Sequence, residues 1–171
     1  MIRLILHYLL RFLALVLVQV LVLNQVQLGS FINPFLYIYF LMVLPVQTPK
    51  LLLLPLAFLI GICIDMFQNT PGIHASACLV LVYIRPKWLS VLAPREGYET
   101  EATPSIHRFG LTWFLTYAAV LVFLHHFVLF FLELFRLTEI LSTLYRILLS
   151  SSVTLLLIIM LQYLGVKSKN A

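Results

Sequence analysis

Asp65 is the one carboxylate in the first 95 residues, and it closes an apolar run ahead of the polar turn Gln68-Asn69-Thr70-Pro71-Gly72. His74, Ala75 and Ser76 follow at once, opening a second apolar run. An acid so placed permits two kinds of chemistry: a proton or ion relay, or a structural role as helix cap or ion-pair partner. No second acid lies inside an apolar run, which favours the structural role. Its complement is Arg146, one of a row (Ser142, Arg146, Ser150, Thr154) that recurs every four residues along one helix face. Matching depth and opposite sign predict an Asp65–Arg146 ion pair. Arg136 and Glu133, nearer water, are weaker partners.

The other candidates lead to no reaction centre. His125 and His126 are adjacent, so they stand about 100° apart on a helix and cannot easily share a metal; a polar contact in the bundle or at its outer boundary is expected. Cys63 and Cys78 sit singly in apolar runs and read as small buried hydrophobes. His7, Arg11 and Gln19 share one helix face and read as ordinary anchoring. The chain has no HExxH, paired-aspartate, GxSxG or P-loop motif. Glu96, Glu99 and Glu101 fall in a polar loop and read as surface charge. No enzymatic activity, cofactor or metal site is expected.

The elements that must hold these side chains are membrane helices. The chain has 171 residues, 63% hydrophobic and only 10% charged, with a mean hydropathy of +1.07. Soluble domains carry about 25% charged residues, so the polar side chains here are too few to cover a water-facing surface. Apolar runs predict an all-α membrane protein, a single transmembrane domain over residues 1–171 with six segments at 2–23, 34–45, 51–66, 72–92, 109–132 and 137–164. The second is short and bounded by Asn33-Pro34 and Pro45, so it either crosses tilted or packs as a partly irregular segment. The first has no cleavage-type site after it and is read as a retained helix rather than a signal peptide.

The formal charge of +5 does not form a nucleic-acid face. Arg3, Arg11, Lys50, Arg85, Lys87, Arg95, Arg108, Lys167 and Lys169 all gather on one side of the predicted topology, against Arg136 on the other. That bias places both termini in the cytoplasm and the Asp65–His74 turn at the outer boundary. Tyr8, Tyr83, Trp88, Trp113 and Tyr163 then fall near the inner boundary as interfacial anchors. The basic stretch Arg85, Lys87, Arg95 reads as an inner loop that sets orientation and can also meet anionic lipid. Ala57, Gly61 and Asp65 share one face of the third segment, and Gly72 and Ser76 one face of the fourth. Small residues so arranged allow close helix contact.

A Gly-x3-Asp ending the third helix (Gly61, Asp65) and Pro-Gly-x-His-Ala opening the fourth (Pro71, Gly72, His74, Ala75) resemble the rod shape-determining MreD family. The resemblance extends to Asn33-Pro34, to Tyr83-Ile84-Arg85-Pro86 and to Leu92-Ala93-Pro94-Arg95. His125-His126 and the Leu148–Leu161 region are similar to the MreD forms of Bacteroidetes. It covers nearly the whole chain through the order of individually weak motifs. It implies a fold resembling the membrane-embedded substrate-binding subunit of energy-coupling-factor transporters. It further implies a scaffold role in the elongasome of the bacterial inner membrane, directing lateral peptidoglycan synthesis and cell shape. The implied direct partner is MreC, with the MreB filament and the RodA–transpeptidase complex as neighbours and no enzymatic activity. Gly61, Asp65, Gly72, His74, Ala75 and Arg146 are the structural or partner-surface candidates. The competing reading is a vitamin-type transporter's substrate-binding subunit, which needs a polar cavity near the outer face. Asp65, His74 and Arg146 alone are thin for that, and no Ala-x3-Ala docking pattern for a coupling subunit is evident.

Overall fold

A computed structural model describes residues 2–25, 32–134 and 140–164, with side chains from Leu6 onward. Arg136, Lys167, Lys169, the Arg3 side chain and the start of the sixth predicted segment lie outside the described residues. The described chain is all-α. Helix α1 spans Ile2–Val18 and runs on as a π-helical turn, Gln19–Leu23. Then come α2 (Ile38–Met42), α3 (Lys50–Gln68), α4 (Ile73–Val91), α5 (Ile106–Phe109), α6 (Leu111–Leu134) and α7 (Ile140–Leu164). Helix α3 packs on α4, α4 on α6, and α6 on α7. Helix α1 is peripheral, with Leu9, Leu10, Leu13, Leu17 and Leu21 all exposed, as befits a helix facing hydrocarbon.

Among the described residues four helices, not six, have the length and apolar composition to cross a membrane: α1 with its π turn, α3, α6 and α7. Helix α4 matches α3 in length at 19 residues, but Arg85, Pro86 and Lys87 lower its apolar character. The second predicted segment is not a spanning helix. Prolines at 34 and 45 confine helix to Ile38–Met42, and the flanking residues are extended or turn-like.

That short segment nevertheless traverses the bundle. At one end Leu36 meets Gln19 of α1, and at the other the Leu44 carbonyl meets Arg85 near the end of α4. Phe35 to Leu44 are almost wholly buried apart from Tyr39. Irregular backbone at this depth is tolerated only when protein groups satisfy its N–H and C=O groups. Here side chains of four helices do so. Ser150 Oγ accepts from Asn33 N (3.0 Å), Thr154 Oγ1 from Phe35 N (3.0 Å) and Gln19 Oε1 from Leu36 N (2.7 Å). At the far end Tyr117 Oη donates to the Met42 carbonyl (2.8 Å), and Arg85 donates to the Leu44 carbonyl and to Tyr117 Oη.

Arg85 is therefore no part of a basic inner loop. It is fully buried, and among the described residues no carboxylate pairs with it. Carbonyl dipoles at the end of α2 take that place. Two members of the polar row on α7, Ser150 and Thr154, are likewise explained by backbone capping. Beyond α4, Tyr98 Oη donates to the Leu89 carbonyl (2.7 Å) and Trp113 Nε1 to the Leu92 carbonyl (2.9 Å), which ties the polar loop to the bundle. Glu99 in that loop pairs with Arg108 at the surface.

Candidate functional site

The polar turn between α3 and α4 closes around Asp65. Asn69 adopts φ 58° and Gly72 φ 81°, left-handed conformations that end α3 and begin α4 within four residues. The reversal drives the two helices together at Gly61, where an added Cβ would lie 2.3 Å from Ala75 Cα. Contact that close brings the Asp65 carboxylate under the first turn of α4. Its Oδ1 accepts from His74 N (2.9 Å) and Thr70 Oγ1 (2.9 Å), and Oδ2 from Ala75 N (3.0 Å). Two of the N–H groups a helix start leaves free are thereby satisfied, and the carboxylate sits at the favourable end of the helix dipole. At 4% exposure Asp65 is a buried cap, one of the two structural roles its position suggested.

The predicted Asp65–Arg146 ion pair does not form. Arg146 lies 3.5 Å from Glu133, and the Asn33 carboxamide faces Arg146 Nη2 (2.9 Å) and Nε (3.2 Å); both are donors, so the amide atom that belongs against them is the oxygen. The guanidinium also stands over the Phe130 ring, 4.5 Å from its centroid. Asp65 gains its compensation from backbone N–H groups, so it needs no cation.

A hydrogen-bonded chain runs inward from this turn, and two backbone groups fix the direction of every link. Gln19 receives Leu36 N on Oε1 and donates from Nε2 to the Pro34 carbonyl (3.0 Å), so its amide can point only one way. Gln19 Nε2 also donates to Asn24 Oδ1 (2.9 Å), making that oxygen an acceptor. Gln68 Nε2 donates to the same oxygen (3.0 Å), which turns Gln68 Oε1 toward His74 Nε2 (2.9 Å). A neutral His74 then carries its proton on Nε2 and accepts at Nδ1 from Tyr37 Oη (2.8 Å). Tyr37 in turn accepts from His125 Nε2 (2.9 Å). His125 Nδ1 is left bare, buried and unpartnered. His126 takes the opposite tautomer: Thr154, already accepting from Phe35 N, donates to its Nε2 (3.2 Å), while Nδ1 donates to the Val122 carbonyl (2.8 Å). The Phe35 ring stands within 5.1–6.0 Å of His74, His125 and His126 and covers the chain.

The outer end of this network opens into a cavity of about 580 Å³. Its wall combines Asn24, Asn33, Gln68, His74, Glu133 and Arg146 with apolar Val20, Leu23, Phe67 and Leu129. Of the sequence-derived candidates, Gly61, Asp65, Gly72, His74 and Ala75 meet in the turn, and Arg146 stands across the cavity from them. Cys63 and Cys78 are free thiols. Among the described residues no cluster of three metal-type ligands occurs.

Tyr37, Gln68, Asn24, Arg85 and Tyr117 join the polar framework without having been singled out for it. The sequence groups Gln19 with His7 and Arg11 as an anchor, yet Gln19 is 1% exposed whereas His7 is exposed. The π turn that begins at Gln19 is the local departure from the regular helical face. A polar residue within an apolar run was the available signal for Gln19. Comparison with protein-family models, with curated proteins and with solved structures gives no match. The fold and the site therefore stand on the chain's own residues, which define a multi-helix bundle of membrane-protein type.

Proposed function

We propose that this protein is a multi-pass scaffold of the bacterial cytoplasmic membrane that helps direct lateral peptidoglycan synthesis, as the resemblance to MreD implies. In this reading the chain crosses the membrane six times, α4 by its helix and residues 33–45 by their broken path, with both termini cytoplasmic. The bundle is then of the energy-coupling-factor substrate-subunit kind. MreC is the direct partner, and MreB and the RodA–transpeptidase complex are neighbours.

One observation carries the reading. Gly61, Asp65, Pro71, Gly72, His74 and Ala75, the residues of the resemblance, belong to one interlocked turn. They act as a structural signature rather than a scattered coincidence of small residues. The described structure also offers little mass outside the bundle, so a partner must be met by helix faces and short turns. The peripheral, leucine-lined α1 offers the widest such face.

Affinity purification of the tagged protein in mild detergent tests this. A single-span protein with a periplasmic coiled coil is expected to co-elute. Recovery of an ATPase-containing complex instead would move the assignment to the transporter-subunit reading, which the outward cavity specifically favours. Uptake of a solute dependent on this chain would support the same change.

A further inference from the structure

We infer that the outward cavity is a binding site for an oxyanion, specifically a phosphate-bearing group of head-group size. The inference rests on the cavity alone and not on the scaffold reading, so either can fail without the other. At about 580 Å³ the space falls within the roughly 300–1,000 Å³ of small-molecule sites. It exceeds what a bare ion needs.

The polarity of its wall follows from the fixed direction of the hydrogen-bonded chain. Asn24 Oδ1 already accepts from Gln19 and Gln68, so the part of Asn24 still free is its NH2. Gln68 has committed its oxygen to His74 and one N–H to Asn24, so it too has only an N–H left. His74 has both ring nitrogens engaged. Arg146 is held by Asn33 at Nε and Nη2 and by Phe130 across its face, and it lines the cavity. Among the described residues these donors line the space beside the polar Gln25 and Thr70, and the one charged acceptor in its wall is Glu133. Its carboxylate stands 3.5 Å from Arg146, longer than a close charge-assisted bond. Glu133 is 35% exposed at the side chain, against 21% for Arg146. Glu133 thus occupies, loosely, the place that a ligand oxyanion would take. Asn24 and Gln68 are also preorganised: their orientation traces back to backbone groups of Pro34 and Leu36, so little ordering of these two donors remains for binding to impose.

Phosphate oxygens can reach this site from a soluble phosphate ester or from a lipid head group at the outer boundary, and the test separates them. The purified full chain in a phosphate-free maltoside detergent and buffer is titrated with glycerol 3-phosphate, with glycerol as control, and binding is read from the unfolding midpoint. In parallel, retention of phosphatidylglycerol is measured by native mass spectrometry. Saturable binding of one molecule per chain is expected in at least one arm. The arm that responds names the source.

Two variants locate the site. Asn24→Asp keeps the two bonds accepted at that oxygen and replaces the free NH2 with a negative oxygen, so affinity should fall about tenfold or more. Glu133→Gln removes the competing carboxylate and should tighten binding several-fold. If Asn24→Asp fails to fold, Glu133→Gln decides alone. Absence of saturation in both arms, or a change in either folded variant opposite to this direction or nil, overturns the inference.

Discussion

Replacing Gly61 with alanine tests the link between helix packing and the Asp65 cap with a change of sign. In an isolated helix interior, alanine is favoured over glycine by about 1 kcal/mol. Were α3 and α4 separated by ordinary side-chain contacts, the variant would be more stable than wild type. Instead the new Cβ would lie 2.3 Å from Ala75 Cα, 2.6 Å from Ala75 N and 2.9 Å from the His74 carbonyl carbon. All three are backbone atoms, so no side chain can swing away. Reaching ordinary contact requires the helices to part by about 1 Å at this crossing. Asp65 lies one turn further along α3, and its bonds to His74 N and Ala75 N, now 2.9 and 3.0 Å, would stretch as the helices part.

Overpacking costs about 1–3 kcal/mol, and weakening two bonds from a charged acceptor adds about 1–2 kcal/mol. After the propensity gain the net destabilisation is about 1–4 kcal/mol. Reversible unfolding in detergent micelles measures it, and a double-mutant cycle with Asp65→Asn shows whether the two sites act together. The predicted coupling is about 1 kcal/mol or more. Equal or greater stability in Gly61→Ala, or strict additivity with Asp65→Asn, would refute the reasoning.

Asp65→Ala should destabilise by about 2–5 kcal/mol, because His74 N and Ala75 N lose their acceptor in a buried turn. The reciprocal exchange Asp65→Arg with Arg146→Asp should be no more stable than Asp65→Arg alone, and rescue in the same unfolding assay would restore the ion pair. Tyr37→Phe leaves His74 Nδ1 and His125 Nε2 without their shared partner and should cost about 2–4 kcal/mol. Nitrogen-15 spectra of labelled protein should show His125 protonated on Nε2 and His126 on Nδ1, and matching tautomers would contradict the chain's direction. Arg85→Met should destabilise by about 3 kcal/mol by orphaning the Leu44 carbonyl, with Arg85→Lys recovering only part because it lacks the planar fork.

The long helices are legible in the sequence because apolar runs of membrane length have few alternatives, and prolines, glycines and polar turns mark their ends. The α3–α4 hairpin is legible for the same reason, whereas capping by Asp65 is only one of the two structural roles its position suggests, and the ion pair expected with Arg146 does not form. Four things are hidden. The path of residues 33–45 depends on side chains more than 100 positions away, Ser150 and Thr154, capping its backbone. Local pattern cannot reveal them. Arg85 looks like a boundary charge because a basic residue near the end of an apolar run usually is one, yet the carbonyls of the broken segment hold it inside. Gln19 leaves its expected face where the π turn begins. The cavity appears only when Asn24, Asn33, Gln68 and Arg146 are brought to one end of the bundle by tertiary packing. In each case a polar residue in an apolar run was visible, but its partner was set by the fold.

Depletion of this protein from growing cells of its parent organism is the most direct test of the scaffold assignment. Incorporation of fluorescent D-amino acids along the lateral wall is imaged as the protein disappears. The scaffold role predicts that lateral incorporation becomes disorganised and rods round up, with rescue by wild type and not by Gly61→Ala at equal abundance. Unchanged shape and an unchanged incorporation pattern after complete depletion would contradict it.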